Sequence, residues 1–278
     1  VDVATGDIIW RTAQSYAGST NETGRLPVRK QAVLNTAAAG DSICLLDAAD
    51  IVCLDRDTGN ERWRASPPAK RAELTVGTLI IHQDVVIFSE QGLLTALALE
   101  DGARLWTREA RQPGGLWFSW KDIFVIDDLV WTWAPMTERL VTEAHGHDLH
   151  TGEVKRKVPL GPIFNVDHHH RCYRNKATSR FIIASRRGAE FIDLEGGPHT
   201  VNNWVRGICH LGMMPANGLL YAPPEPCKCY WYERISDFCA LAPEPSPESS
   251  RVNLDTPFEA VPGPAAEHHD STSTNPED

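Results

Sequence analysis

A short phrase, Asp-x-x-Thr-Gly-x-x-x-Trp, returns along most of this chain and constrains the fold more than any other feature. Clean copies run from Asp2 to Trp10 and from Asp55 to Trp63. A looser copy spans Ala98 to Trp106, and a fourth, Asp148 to Arg156, carries Arg156 where the tryptophan should stand. A worn fifth remains at Asp193-Leu194-Glu195-Gly196. The turn glycines sit at 6, 59, 102, 152 and 196. Internal similarity at a period of roughly 40–50 residues marks a propeller or solenoid.

Each part of the phrase has a physical task. An apolar run such as Ile51–Leu54 or Leu93–Leu97 precedes it and reads as a buried strand. Asp and Thr bond nearby backbone N–H groups and fold the chain back. Glycine supplies the positive φ of the turn. The next strand ends on Trp, a flat side chain suited to the seam between two stacked sheets. One such unit cannot bury its apolar face alone, so units must stack. The spacing therefore predicts an all-β chain, a β-propeller of four-stranded antiparallel blades, as a small ring or, preferred here, an incomplete arc.

Residues 1–15 read as the end of one blade and residues 16–32 as a polar connection. Blades follow at 33–66, 72–109, 116–158 and 163–197, and a last segment, 201–242, is rich in Pro and Cys. No helical stripe of useful length appears. Asp127-Asp128 reads as a hairpin turn between apolar strands. From Pro243 to Asp278 Pro, Ser, Thr and Glu dominate, so this stretch cannot offset its ordering entropy and is expected to be disordered. It holds eight acidic residues against one base, Arg251, and so carries most of the net charge of −10. The remaining 1–242 is close to neutral and shows no basic face for nucleic acid. No apolar run reaches the roughly 18 residues of a membrane span. No export signal is visible, and the chain opens at Val1 inside a repeat, so a fragment is expected.

The repeated phrase resembles that of the pyrroloquinoline-quinone-type (quinoprotein-like) β-propellers over residues 1–242. That superfamily contains quinoprotein alcohol dehydrogenases and a bacterial outer-membrane assembly lipoprotein, so the resemblance implies the fold and leaves the activity open. Arg171–Thr178, Asn203–Cys209, Met214–Leu219 and Pro223–Tyr230 also resemble an uncharacterised bacterial subgroup. The resemblance implies a test for the quinone. Dehydrogenases of this type set an adjacent Cys-Cys disulfide, a catalytic Asp and a calcium site against the cofactor. Here no Cys-Cys pair and no acid-rich calcium loop occur, and the chain is short for such an enzyme. Pyrroloquinoline quinone is thus unsupported by motif.

The chemistry-bearing residues gather late in the chain. Of seven cysteines, Cys172, Cys209, Cys227, Cys229 and Cys239 fall in the later part of the chain, near His168, His169, His170 and His210. Three readings stand. Disulfides suit an exported protein and are favoured, although the odd count leaves a thiol over. Zinc or copper could take thiolate and imidazole from His168, His170, Cys172, Cys209, Cys227 and Cys229, but Cys227-x-Cys229 is tighter than a zinc knuckle. Buried free thiols are the third. Cys44 and Cys53 flank one hairpin; a two-residue turn at Ala48-Ala49 would set them opposite and a four-residue loop would not, and since Ala-Ala suits the two-residue turn poorly a bond there is not relied upon. Arg171, Arg174 and Lys176 belong to the one basic region and could meet an anionic or sugar-like ligand; the other reading, and the favoured one, is a solvated strand rim with scattered ion pairs. Trp117, Trp120, Trp131 and Trp133 are expected in seams.

No Gly-x-Ser-x-Gly elbow, phosphate loop or His-Glu-x-x-His motif occurs, and no catalytic residue is assigned. The expected function is a non-catalytic binding or scaffold module acting outside the cytoplasm on a protein or carbohydrate-like partner, with no nucleic acid. The alternative is a redox or metal-dependent enzyme built on the Cys/His cluster.

Overall fold

The structure, a computed structural model, describes residues 2, 4–12, 36–47, 50–66, 78–90, 93–109, 122–134, 142–164, 173, 175–185, 188–208, 211–224, 235 and 237–243. The chain divides into two units, 1–242 and 243–278; apart from Pro243, the second lies outside the described residues, as does its expected disorder.

Within the first unit the strands form five antiparallel sheets, each a meander in sequence order. The first comprises β1 (Thr36–Ala39), β2 (Ser42–Asp47), β3 (Asp50–Asp55) and β4 (Glu61–Ala65). The second comprises β5 (Thr78–His82), β6 (Val85–Glu90), β7 (Leu93–Ala98) and β8 (Arg104–Glu109). In the third are β9 (Phe124–Ile126), β10 (Leu129–Trp133), β11 (Glu143–Asp148) and β12 (Val154–Pro159). The fourth holds β13 (Lys176–Ala177), β14 (Phe181–Ala184), β15 (Ala189–Asp193) and β16 (Thr200–Asn202). Three strands make up the fifth, β17 (Met214–Ala216), β18 (Leu219–Ala222) and β19 (Cys239–Leu241). A single 3-10 turn, Gly161–Phe164, is the only helical element among the described residues. The architecture is a β-propeller of four-stranded antiparallel blades.

The core lies between sheets. Val86 and Phe88 of β6 pack with Cys44, Ile51, Cys53 and Trp63 of the first blade. Val85 and Ile87 of the same strand pack instead with Ile123, Val130 and Leu149 of the third. Successive side chains of a strand point to opposite faces, so a middle blade covered on both sides needs an unbroken apolar strand. That is why β6 reads Val-Val-Ile-Phe rather than alternating. The same division sends Ile182 and Ala184 toward the third blade and Ile183 toward the fifth.

The repeated phrase locks these seams. In each clean turn the Asp Oδ1 accepts two backbone N–H bonds. Asp55 takes Asp57 and Thr58 at 3.1 and 2.9 Å, and Asp148 takes His150 and Thr151 at 3.1 and 2.8 Å. The Thr hydroxyl donates to the same oxygen at 2.9 Å in both. The glycine follows with φ near +70°: +74° at Gly59, +75° at Gly102 and +67° at Gly152. The glycine has a second task that turn chemistry alone does not reveal. The indoles of Trp10, Trp63 and Trp106 each lie flat on the turn glycine of the following repeat, at Gly59, Gly102 and Gly152. A Cβ on Gly102 would sit 2.6 Å from the Trp63 ring, and one on Gly152 would sit 2.5 Å from Trp106. Each indole Nε1–H then donates to the carbonyl three residues before that glycine. Trp10 reaches Arg56 O at 2.6 Å, Trp63 reaches Leu99 O at 2.8 Å and Trp106 reaches Leu149 O at 2.9 Å.

Where the phrase decays, the lock changes. Arg156 replaces the fourth indole, and the space over Gly196 is open. His199 bridges this seam instead: its Nδ1 accepts from Asp193 N–H at 3.1 Å and its Nε2–H donates to Pro159 O at 2.8 Å. Trp131 and Trp133 are buried in the core between the third and fourth blades, while Trp117 and Trp120 lie outside the described residues.

Some elements could not be foreseen and one boundary moves. The first blade starts with β1, whose Thr-Ala-Ala-Ala run has little strand propensity; pairing with β2 makes it a strand. The fourth blade covers 176–202 rather than 163–197, because its inner strand is only two residues and its outer strand follows a Gly-Gly-Pro stretch. Residues 4–12 contain the turn and docked Trp10 but no strand. Asp127-Asp128 does form the β9–β10 turn, with φ of +52° and +56°. The hairpin β2–β3 takes the shorter of its two possible turns: Asp47 pairs with Asp50, so the loop has two residues and Cys44 stands directly opposite Cys53. The turn residues did not choose this register. Arg64 on β4 grips both loop ends, bonding Asp47 at 2.7 Å and Asp50 at 3.5 Å.

The turn aspartates predict an acid response. Asp55 is held at about 2, against an ordinary 3.8, chiefly by the Arg62 guanidinium and by the Thr58 hydroxyl and N–H. Asp2 and Asp148 are lowered by the same turn bonds, the Thr backbone N–H first. A depressed carboxylate stabilises the fold above its unfolded pKa, and that contribution is lost as pH falls through the folded one. Thermal midpoints should therefore hold at neutral pH and fall from about pH 4 toward about pH 2. Asp55→Asn should lower the midpoint at neutral pH and flatten the acid limb. Melts followed by circular dichroism across that range check both.

Candidate functional site

The inner strands of the last three blades and the loops beside them enclose a groove of about 620 Å³. Phe124 on β9 and Lys176–Ala177 on β13 form one wall. Met214 and Pro215 on β17, with Tyr221 on β18, form the other. Phe238, just before β19, closes one end, its ring 6.3 Å from that of Tyr221. The lining is almost wholly apolar, and its outer edge is open to solvent: Leu211 is 71%, Phe238 61% and Met214 59% exposed.

A rigid base supports the exposed edge. Gly212 adopts φ +77°, its N–H donates to Ile208 O at 2.8 Å, and a Cβ there would meet the Tyr173 ring at 2.7 Å. Tyr173 is buried beneath; its hydroxyl donates to Gly188 O at 3.4 Å and accepts from Gly207 N–H at 3.2 Å. This short loop thrusts Leu211 outward and turns Met213 into the core between the fourth and fifth blades. On the opposite wall Asn175 is buried, its N–H donating to Asp122 Oδ2 at 2.8 Å and its Oδ1 accepting from Ser185 at 3.3 Å. That network fixes the start of β13 and with it Lys176.

Of the residues singled out by sequence, Lys176 lines this groove. Arg171 and Arg174 lie outside the described residues, as do His168, His170, Cys172, Cys209, Cys227 and Cys229. Among the described residues no group of three or more His, Cys, Asp or Glu is placed to hold a metal ion. The described cysteines Cys44, Cys53 and Cys239 are free thiols. No described helix is long and apolar enough to cross a membrane.

Histidines missed in the sequence reading have structural partners. His147 is buried, stacks on Trp106 with centroids 6.4 Å apart and donates from Nδ1 to Gly152 O at 3.1 Å. Burial pushes its pKa down, so the neutral ring braces the Trp106 seam. His82 pairs with Asp128 at 3.0 Å and His150 with Asp84 at 2.9 Å, both between the second and third blades.

Residues 1–157 match the family model described as outer membrane protein assembly factor BamB. The chain belongs to this family of PQQ-type β-propeller repeat proteins. Among solved structures it is similar to BamB from Moraxella catarrhalis, at 14% identity over 68% of this chain and 55% of that one, TM-score 0.49. It is also similar to the quinohemoprotein alcohol dehydrogenase of Comamonas testosteroni, at 15% identity over 74% of this chain and 38% of that one, TM-score 0.44. A europium-containing methanol dehydrogenase matches at 15% identity over 59% of this chain and 40% of that one, TM-score 0.41. The chain thus spans about half, or less, of the length of these structures. No curated protein matches.

Proposed function

We propose that this chain is a non-catalytic binding module acting outside the cytoplasm, which holds an extended apolar segment of a protein partner in the groove between β13 and β17. The observation that carries this reading is the open apolar lining with Leu211, Met214 and Phe238 at its edge. The family supports it, since its model is described as an assembly factor, a role defined by protein contacts. The indole locks supply the stiff frame that such a groove needs, because a preorganised site loses less on binding.

A fluorescently labelled peptide of alternating apolar and polar residues is expected to bind the full chain, read by anisotropy. Met214→Asp and Leu211→Asp change exposed side chains and should leave the melt unaltered. Losing one buried apolar contact of roughly 1.5–3 kcal/mol should weaken binding about tenfold or more. Failure of every such peptide to bind, with stoichiometric metal or quinone in the native mass spectrum, would replace this reading with a redox or metal-dependent enzyme. Binding of oligosaccharides in preference to peptides would also overturn it.

A further inference from the structure

We infer that Cys44 and Cys53 form a redox site, a buried dithiol placed to close into a cross-strand disulfide when a peroxide removes two electrons. The geometry comes from register. Asp47 pairs with Asp50 at the loop, and further along the hairpin Arg56 N–H donates to Asp41 O at 2.8 Å. Hydrogen-bonded pairs alternate with non-hydrogen-bonded ones along an antiparallel ladder. The bonded pairs therefore fall at 41 with 56, 43 with 54, 45 with 52 and 47 with 50. Cys44 and Cys53 occupy a non-hydrogen-bonded position, where facing Cα atoms approach to about 4.5 Å and side chains are closest. A disulfide spans Cα separations of roughly 4.4–6.8 Å, so closure asks little of the backbone.

The two thiols are already in contact and are not equivalent. The neighbouring sulfur raises Cys44 far above the ordinary thiol range and lowers Cys53, whose own S–H points to Leu54 O at 3.9 Å. Burial opposes this shift on Cys53, while nearby Ser42 and the charge of Arg62 add to it. Cys53 is therefore the nucleophile and Cys44 the resolving thiol. Both are 0% exposed, walled by Ile51, Leu79 and Phe88. Access requires a local opening of the hairpin or seam, and a peroxide hardly larger than water needs a far smaller one than a bulky disulfide does.

The chemistry balances. The Cys53 thiolate attacks one peroxide oxygen, the O–O bond breaks, and the departing hydroxide takes the thiol proton to leave as water. Cys53 is now a sulfenic acid. The Cys44 sulfur attacks Cys53 Sγ, the S–O bond breaks, and the released hydroxide leaves as a second water with the Cys44 proton. Two thiols and one hydrogen peroxide give one disulfide and two waters.

Trypsin releases residues 31–56 as one peptide holding Cys44 and Cys53 and no other cysteine. The reduced, folded chain is treated with hydrogen peroxide or with glutathione disulfide, quenched in acid, then alkylated in denaturant. After peroxide the peptide should carry no alkyl group and weigh two hydrogens less than the dithiol. After glutathione disulfide it should carry two alkyl groups. In Cys44→Ser, dimedone should trap a sulfenic acid at Cys53. Two alkyl groups on the wild-type peptide after peroxide, or equal closure by glutathione disulfide, would overturn the proposal; neither readout depends on a variant folding.

Discussion

Gly102→Ala is expected to destabilise the first unit by about 3 kcal/mol, combining a left-handed cost of roughly 1–2 kcal/mol with overpacking of roughly 1–3 kcal/mol. The backbone at Gly102 has φ +75°, and the new methyl would sit 2.6 Å from the Trp63 ring. The indole cannot retreat without breaking its bond to Leu99 O at 2.8 Å. Gly196→Ala is the internal control. Its φ is +90°, yet nothing lies within 4 Å of the added atom. It should cost only the backbone share, roughly 1–2 kcal/mol. Urea unfolding of both variants separates the two contributions. Equal losses at the two glycines would show that the indole contact is not what the turn glycine serves.

Trp106→Ala should have the largest effect of any single change, about 3–5 kcal/mol as for other buried aromatic truncations. Trp106 is 5% exposed and fills the seam between the second and third blades. Its loss leaves Leu149 O without its indole donor and removes the ring on which His147 stacks. Arg108 donates to Gly152 O at 3.2 Å and Thr151 O at 3.1 Å, so this seam would keep a polar tie. Trp106→Phe, which keeps most apolar area but not the donor, should lose less. Hydrogen exchange should show faster amide exchange in β8 and β11 for the alanine variant, with β2–β3 little changed. Uniform loosening of every blade would instead mean that the seams do not act locally.

The contrast between these seams shows how far the residues alone could be read. The phrase carries its own turn: Asp, Thr and Gly need only local backbone partners, so Asp55–Gly59 and Asp148–Gly152 are legible as turns. The tryptophan is legible as buried, because so large an apolar side chain must leave water. Its platform is not, since Gly102 lies across a seam from Trp63. Strands with strong apolar runs, such as Val85–Glu90, are plain for the same reason as the turns. Thr36–Ala39 and Lys176–Ala177 are strands only because a neighbour pairs with them, and their own residues carry little preference.

The groove was almost wholly hidden. Phe124 lies tens of residues before Met214, Tyr221 and Phe238 in the chain, and each by itself reads as core. A hint lay in Leu211-Gly212-Met213-Met214, an apolar run set among prolines and cysteines without strand alternation. The histidines near it in the chain carry chemistry recognisable from residue type alone, whereas an exposed methionine is recognisable only once its neighbours are known.

By itself the amino-acid order determined that this protein is a stack of antiparallel hairpin sheets with a glycine turn and an indole in most repeats, because those are short-range demands of backbone and side-chain type. Only the tertiary structure decided which carbonyl each indole meets, that Cys44 faces Cys53, and that three blades leave an open apolar groove. Those facts depend on pairing and packing between segments tens of residues apart, and no local preference encodes them.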